Sequence, residues 1–230
     1  MNILLVFAHP DDEVLGCGAT IAKFTMLGAN VSTLILSDGV TSRYNIKNPT
    51  PAFHKEIKNR KAEMEKANKL IGVKAVFTES FPDNSFDSVP LLDIVKKIEN
   101  IKQKTKPQII FTHHFGDMNI DHQITYQAVL TATRPMQSET VKEIYSCEIP
   151  SSTEWDFELN KQFAPNVFFD VGKTIGKKIK ALAEYKSELR KYPHPRSLQH
   201  IEELAKFRGV RCGLNFAEAF YLVRSVKDNL

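Results

Sequence analysis

Cysteine is scarce in this sequence, with three among 230 residues. Cys17, Cys147 and Cys212 are far apart, odd in number and without a CxxC pair, which excludes a disulfide framework and a cysteine zinc site. A reducing compartment follows, and the cytoplasm is the expected location. Long apolar runs are also lacking. None approaches the ~20 residues of a membrane helix, so no membrane span is expected. The N-terminal apolar run is short, has no basic leader and meets charged residues at once, which does not fit a signal peptide. No arginine-rich block with interleaved aromatics points to nucleic acid. Neither a GxGxxG nor a Walker-type loop follows the first apolar run, which argues against a nucleotide-binding module. No internal repeat or low-complexity linker divides the chain, so residues 1–230 are read as one domain. The net charge of +4 is a mild basic excess. It fits solvated lysine-bearing helix faces, with attraction of anionic ligands as the alternative.

What is present begins with Ile3-Leu4-Leu5-Val6-Phe7, apolar throughout, as a parallel strand buried on both faces should be. His9-Pro10-Asp11-Asp12-Glu13 follows, then a helix to about Leu27 with Gly28 as its cap. Further strands are expected over residues 31–36, 73–78 and 108–112, with helices over 55–70, 90–103 and 123–132. Ile57, Met64, Ala67 and Leu70 are inward candidates of the first of these helices. Leu91, Leu92, Ile94, Val95, Ile98 and Ile101 are the apolar positions of the second. Residues 41–53 read as a long loop, and a lid is one use for it. The last hundred residues are less regular. Strands are read at 143–149, 166–171 and 217–223, a basic amphipathic helix at 173–189, and a helix at 198–207 capped by Ser197 and closed by Gly209. The alternation predicts an α/β fold with a mainly parallel sheet and helices on both faces. Right-handed crossovers bring the polar strand-end turns to one edge of that sheet, where α/β ligands bind.

A catalytic zinc site uses three protein donors and leaves a position for water. His9 and Asp12, three apart in a turn entering a helix, converge on one point. His122, which also follows a strand and opens a helix, is the best third donor. Two histidines and an aspartate suit Zn²⁺ and do not exclude Fe²⁺, Mn²⁺ or Co²⁺. Asp11 is then placed to take the proton of a metal-activated water as general base. Acidic residues also favour helix N-termini for capping and dipole reasons alone. That accounts for Asp11, Asp12 or Glu13 singly, but not for His9 beside them or for the second His/Asp cluster. His113 and His114 are wall or packing residues at a strand end.

Ala8-His9-Pro10-Asp11-Asp12-Glu13 with Asp121-His122 resembles the PIG-L/LmbE-type family of metal-dependent N-acetylglucosaminyl deacetylases. Arg60 and Glu63 before Leu70-Ile71-Gly72, and Pro82-Asp83-Asn84, extend the likeness, which is clear over about residues 1–135. The resemblance implies a Rossmann-like fold, zinc on His9, Asp12 and His122, and Asp11 as base. It implies substrate contact at Arg60 and Asp83. The implied reaction removes the acetyl group from an N-acetylated amino sugar, free, nucleotide-linked or in a glycoconjugate. One departure stands out. Where several members carry an oxyanion-stabilising histidine, this chain has Asn119, which donates from a neutral amide but cannot give a proton. Either Asn119 is a neutral donor with protonated Asp11 as acid, or another histidine enters, His194 first and His114 second. Arg196 beside His194 is grouped with Arg60, Asp83 and His114 as substrate-binding. The expected partner is a small N-acetyl sugar, with homo-oligomerisation left open. Competing readings are an amidase for a non-sugar amide, a non-catalytic sugar- or nucleotide-binding module, and a two-metal phosphoesterase.

Overall fold

In the computed structural model, which describes residues 1–44 and 50–227, β1 (Asn2–Phe7) is an interior strand of the sheet, paired on both edges. Its side chains alternate between two cores, as the period of a strand requires. Ile3, Leu5 and Phe7 join one cluster, and Leu4, Val6 and the following Ala8 join the other. Burying one such side chain contributes about 1.5–3 kcal/mol, and β1 does so on both faces.

The elements around it are α1 (Asp12–Met26), β2 (Asn30–Ser37), α2 (Pro51–Leu70), β3 (Ala75–Phe81), α3 (Leu91–Thr105), β4 (Ile109–His113), α4 (Ile120–Ala132) and β5 (Glu143–Cys147). They are followed by β6 (Val167–Asp170), α5 (Ile175–Leu182), α6 (Leu198–Val210) and β7 (Ala217–Ser225). The strand order is β3-β2-β1-β4-β5-β7-β6. The first five strands are parallel. β7 runs antiparallel to both β5 and β6. One core carries Val14 and Ile21 of α1, Met64 of α2, Leu182 of α5 and Ile201 of α6. The other carries Ile94 and Ile98 of α3 and Val129 of α4. The α/β fold with helices on both faces is therefore as read from the sequence.

Several details differ. α2 begins at Pro51, because Thr50 Oγ1 accepts from Phe53 N (3.3 Å) and proline suits the first helical position. Within it, Leu70 is 41% exposed and does not join the core. Leu91 and Leu92 are also exposed, since the buried stripe of α3 is Ile94, Val95, Ile98 and Ile101. The helix expected to reach residue 189 stops at Leu182 and gives way to turns. Thr41–Arg43 forms a short 3-10 turn, while residues 45–49 of the expected loop and lid lie outside the described residues. Among the described residues, no helix is long and apolar enough to cross a membrane.

Candidate active site

The turn after β1 is held in a conformation its residues would not adopt alone. Asp11 has φ 111°, a strained region for a non-glycine residue that costs on the order of 1–3 kcal/mol. Glu13 restrains it: Asp11 N donates to Glu13 Oε2 at 3.0 Å. Glu13 Oε1 is fixed in turn by Asn68 Nδ2 of α2 (2.9 Å) and by the Tyr185 hydroxyl. Burial pushes the Glu13 carboxyl up to about 7, against the Tyr185 hydrogen bond. From the turn after β2, Gly39 approaches with φ +66°, and a Cβ there would lie 3.1 Å from Pro10 Cδ. Only glycine meets both demands.

Around this turn three donor atoms converge. Asp12 Oδ2 lies 3.3 Å from His9 Nδ1 and 3.2 Å from His122 Nε2. The two nitrogens are 3.3 Å apart. All three residues are buried, and Asp12 Oδ1 has no partner. His, His and Asp donors within reach of one another fit a divalent cation, and the unpartnered oxygen of Asp12 marks polar capacity the chain itself does not use. Burial disfavours charge on both imidazoles. Yet Asp12, Asp121 and Asp83 hold His9 well above its usual range, and Asp117 with Asp12 holds His122 up to about 9. Burial likewise opposes the Asp12 carboxylate, but His122 and His9 keep it well below the usual range. The site is thus built for positive charge at its centre.

Each histidine turns its other nitrogen to a carboxylate, the arrangement that fixes the orientation of metal-ligating imidazoles. His9 Nε2 is 3.0 Å from Asp121 Oδ2 and 3.3 Å from Asp83 Oδ1. Asp121 is itself fixed by Asn84 N (2.7 Å) and Phe86 N (2.9 Å). His122 Nδ1 lies 3.1 Å from Asp117 Oδ1, an ion-pair distance outside hydrogen-bond alignment. Thr153 and Ser152 hydroxyls donate to Asp117. His113 is a wall: its ring stacks on His122 at 3.8 Å and its Nε2 accepts from Ala8 N. Burial and His122 keep it neutral.

The opposite side of Asp11 is built from the C-terminal part. Arg196 Nη1 bridges Asp11 Oδ2 (2.9 Å) and Glu188 Oε2 (3.0 Å). Arg60, buried in α2, also pairs with Glu188 and donates to Pro10 O at 3.4 Å. Burial raises the Asp11 carboxyl, Arg196 opposes this, and it rests at about 6.

Of the residues singled out in the sequence, His9, Asp12, Asp83 and His122 are linked by direct contacts, and Asp11, the chain neighbour of Asp12, pairs with Arg196, with Arg60 behind them. Three others are engaged elsewhere. Asn119 caps α4, its Oδ1 accepting from Asp121 N at 2.8 Å, while its Nδ2 donates to Asn84 Oδ1 at 2.9 Å. His114 Nε2 is 2.8 Å from Lys161 O, among Phe115 and Phe163. His194 lies edge-on to Trp155, and its Nδ1 accepts from Arg196 N at 3.0 Å. Burial and nearby Arg190 lower its affinity for a proton, which weighs against a proton donor. Sequence reasoning missed Glu188 and Tyr185, which no local signal marks. It also missed Asp117, although that residue stands in the same polar strand-end turn as His122.

Comparison with known proteins gives an independent view. The PIG-L family model, described as GlcNAc-PI de-N-acetylase, matches residues 4–133. The uncharacterized deacetylase YaiS of Escherichia coli K12 is 29% identical over 192 residues, covering 81% of this chain and 91% of that protein. The solved N,N′-diacetylchitobiose deacetylase of Pyrococcus horikoshii matches with TM-score 0.77 and 19% identity over 97% of this chain and 84% of the other. GalB, the 4-carboxy-2-hydroxymuconate hydratase of Pseudomonas putida KT2440, also matches with TM-score 0.77 and 19% identity, over 100% of this chain and 99% of its own. At such identities the two structures speak for the fold alone. Because a deacetylase and a hydratase share it, function has to be read from side chains.

Proposed function

The chain belongs to the PIG-L family, and on that premise we propose that it hydrolyses the N-acetyl group of an amino sugar of the N-acetylglucosamine type. A divalent cation, zinc in the first instance, is held by His9, Asp12 and His122. The observation that carries this reading is the convergence of those three buried donors beside Asp11. When bound there, a cation supplies a Lewis acid for the amide carbonyl and lowers the pKa of a water.

The remaining work falls to the chain. Asp11 Oδ2 is held by Arg196, so Oδ1 is the atom assigned to take the proton from the attacking water. Burial raises the Asp11 carboxyl above the usual carboxylate range and so favours its taking up a proton, while Arg196 opposes that rise. Protonated Asp11 then returns the proton to the nitrogen as the C–N bond breaks and the acetyl carbon keeps its new oxygen. The products are acetate and a free amine. Asp121 and Asp117 keep the imidazoles of His9 and His122 oriented. Arg196 holds the Asp11 carboxylate and Glu13 holds its backbone N–H.

The reaction is placed in a reducing compartment such as the cytoplasm, a reading supported by three free cysteines. The test is acetate release from N-acetyl sugars, with and without chelator, on protein of measured metal content. Asp11→Asn is expected to keep its metal and lose about 10²–10⁴-fold in turnover. Loss of metal from that variant would make Asp11 a ligand instead.

A further inference from the structure

Next to the donor cluster, at the ends of β2 and β3, is a cavity of about 540 Å³, within the ~300–1,000 Å³ of small-molecule sites. We propose that it receives an uncharged, hydroxyl-rich group attached to the amino sugar, such as a second sugar ring, and excludes a phosphate or nucleotide. The proposal rests on the deacetylase reading above and concerns what the amino sugar is attached to.

The cavity touches the centre through Asp83, whose Oδ1 is 3.3 Å from His9 Nε2. A group seated in it is therefore next to a donor residue. Its walls carry three aromatic rings, Tyr44, Phe53 and Phe81, and two carboxylates, Asp38 and Asp83. Serine and threonine residues and Pro82 complete the described lining, and no lysine or arginine is among the described lining residues. Tyr44 and Phe53 pack edge to face at 5.4 Å, and the Tyr44 hydroxyl is anchored on Glu56. Rigid rings of this kind offer apolar faces to the C–H side of a sugar.

The carboxylates are held in place for the hydroxyl side. Asp38 Oδ1 accepts from Val40 N (2.8 Å) and Thr41 N (2.9 Å). Asp83 Oδ2 accepts from Ser42 N (3.1 Å) and Ser42 Oγ (2.6 Å). Thr41 Oγ1 is buried and has no partner among the described residues. Fixed carboxylates accept hydrogen bonds from hydroxyl donors and repel phosphate.

Two arginines close in sequence or space to the described lining are engaged elsewhere. Arg43 sits between Ser42 and Tyr44 in sequence, but its guanidinium is turned to Glu188 (3.0 Å) and Glu56 (3.4 Å). Arg60 is committed to Glu188 as well. Among the described residues, these two arginines are paired within the fold, and the charged groups lining the cavity are the carboxylates of Asp38 and Asp83.

The test measures acetate release by the metal-loaded protein from N-acetylglucosamine, neutral N,N′-diacetylchitobiose and N-acetylglucosamine 1-phosphate. The disaccharide is expected to have a kcat/KM at least roughly tenfold above either of the others, on the scale of a pocket contact. A phosphate that matches or exceeds the disaccharide overturns the proposal and leaves deacetylation standing. No acetate from any probe fails the deacetylase reading. Calorimetry with chitobiose and glucosamine 1-phosphate then decides the cavity alone: tighter neutral binding supports it, and equal or tighter phosphate binding overturns it. Asp38→Asn keeps the size of one wall and removes its charge, and Phe53→Leu replaces an aromatic ring of another with an aliphatic side chain. Each is expected to raise KM for the disaccharide severalfold at little change in kcat, and an unchanged KM in both overturns the proposal.

Discussion

His9 stands in the turn after β1, and Asp12 and His122 in the first turns of α1 and α4, the helices that follow β1 and β4, neighbouring strands in the parallel part of the sheet. Tyr185, Glu188 and Arg196 come from the irregular stretch between α5 and α6, far along the chain from the residues they touch. The first group is compact in origin and presents donor atoms. The second reaches across the molecule and touches none of those atoms. It acts on Asp11, through Arg196 directly and through Tyr185 by way of Glu13. The contrast separates two tasks in one site, charge at the centre and control of the carboxyl beside it.

Substitutions in the first region should act through the metal. Asp12→Ala removes the carboxylate that both histidines face. Metal content should fall to background, and acetate release by roughly a thousandfold or more, since a metal supplies several kcal/mol of charge stabilisation. Retained metal would dismantle the assignment of the cluster. Asp121→Asn leaves the donors and weakens the hold on His9. A loss of about 10–100-fold in metal affinity is expected, measured by chelator competition. Arg196→Ala belongs to the second region and should leave metal content unchanged. Its charge-assisted hydrogen bond to Asp11 contributes about 1.5–3 kcal/mol, so kcat/KM should fall roughly tenfold or somewhat more. Glu188→Gln should act in the same direction and more weakly. If Arg196→Ala loses metal instead, the two regions are not separable.

The same contrast explains what could be read in the sequence. The parallel part announces itself: Ile3-Leu4-Leu5-Val6-Phe7 can only be a strand buried on two faces, and a histidine and aspartate three apart in the following turn suit one cation. Asp121 was visible but had no assignable role, because its partner is His9, 112 positions away. Arg196 and Asp11 are separated by 185 positions, and neither has a local pattern that names the other. The helix expected over residues 173–189 failed for a related reason. The chain leaves helical geometry after Leu182, and in the turns that follow the Tyr185 hydroxyl meets Glu13 and the Glu188 carboxylate meets three arginines. Those tertiary contacts outweigh a helical propensity worth a few tenths of a kcal/mol per residue.

Asn119 lies on the border between the two tasks and gives the smallest expected effect. Its Oδ1 caps α4 at the N–H of Asp121, the residue that orients His9. Asn119→Ala should therefore cost about 1 kcal/mol of stability in a denaturant titration, the usual value of a lost cap. Asn119→Asp keeps an acceptor at the cap and removes the amide N–H. Its stability should stay near that of the parent protein. Since the amide nitrogen already donates to Asn84, turnover should fall far less than the ~10²–10³-fold that follows removal of an oxyanion donor. A loss of that larger size in Asn119→Asp, with stability and metal content intact, would move Asn119 from the cap into the reaction and give the first region a share in handling the substrate's charge.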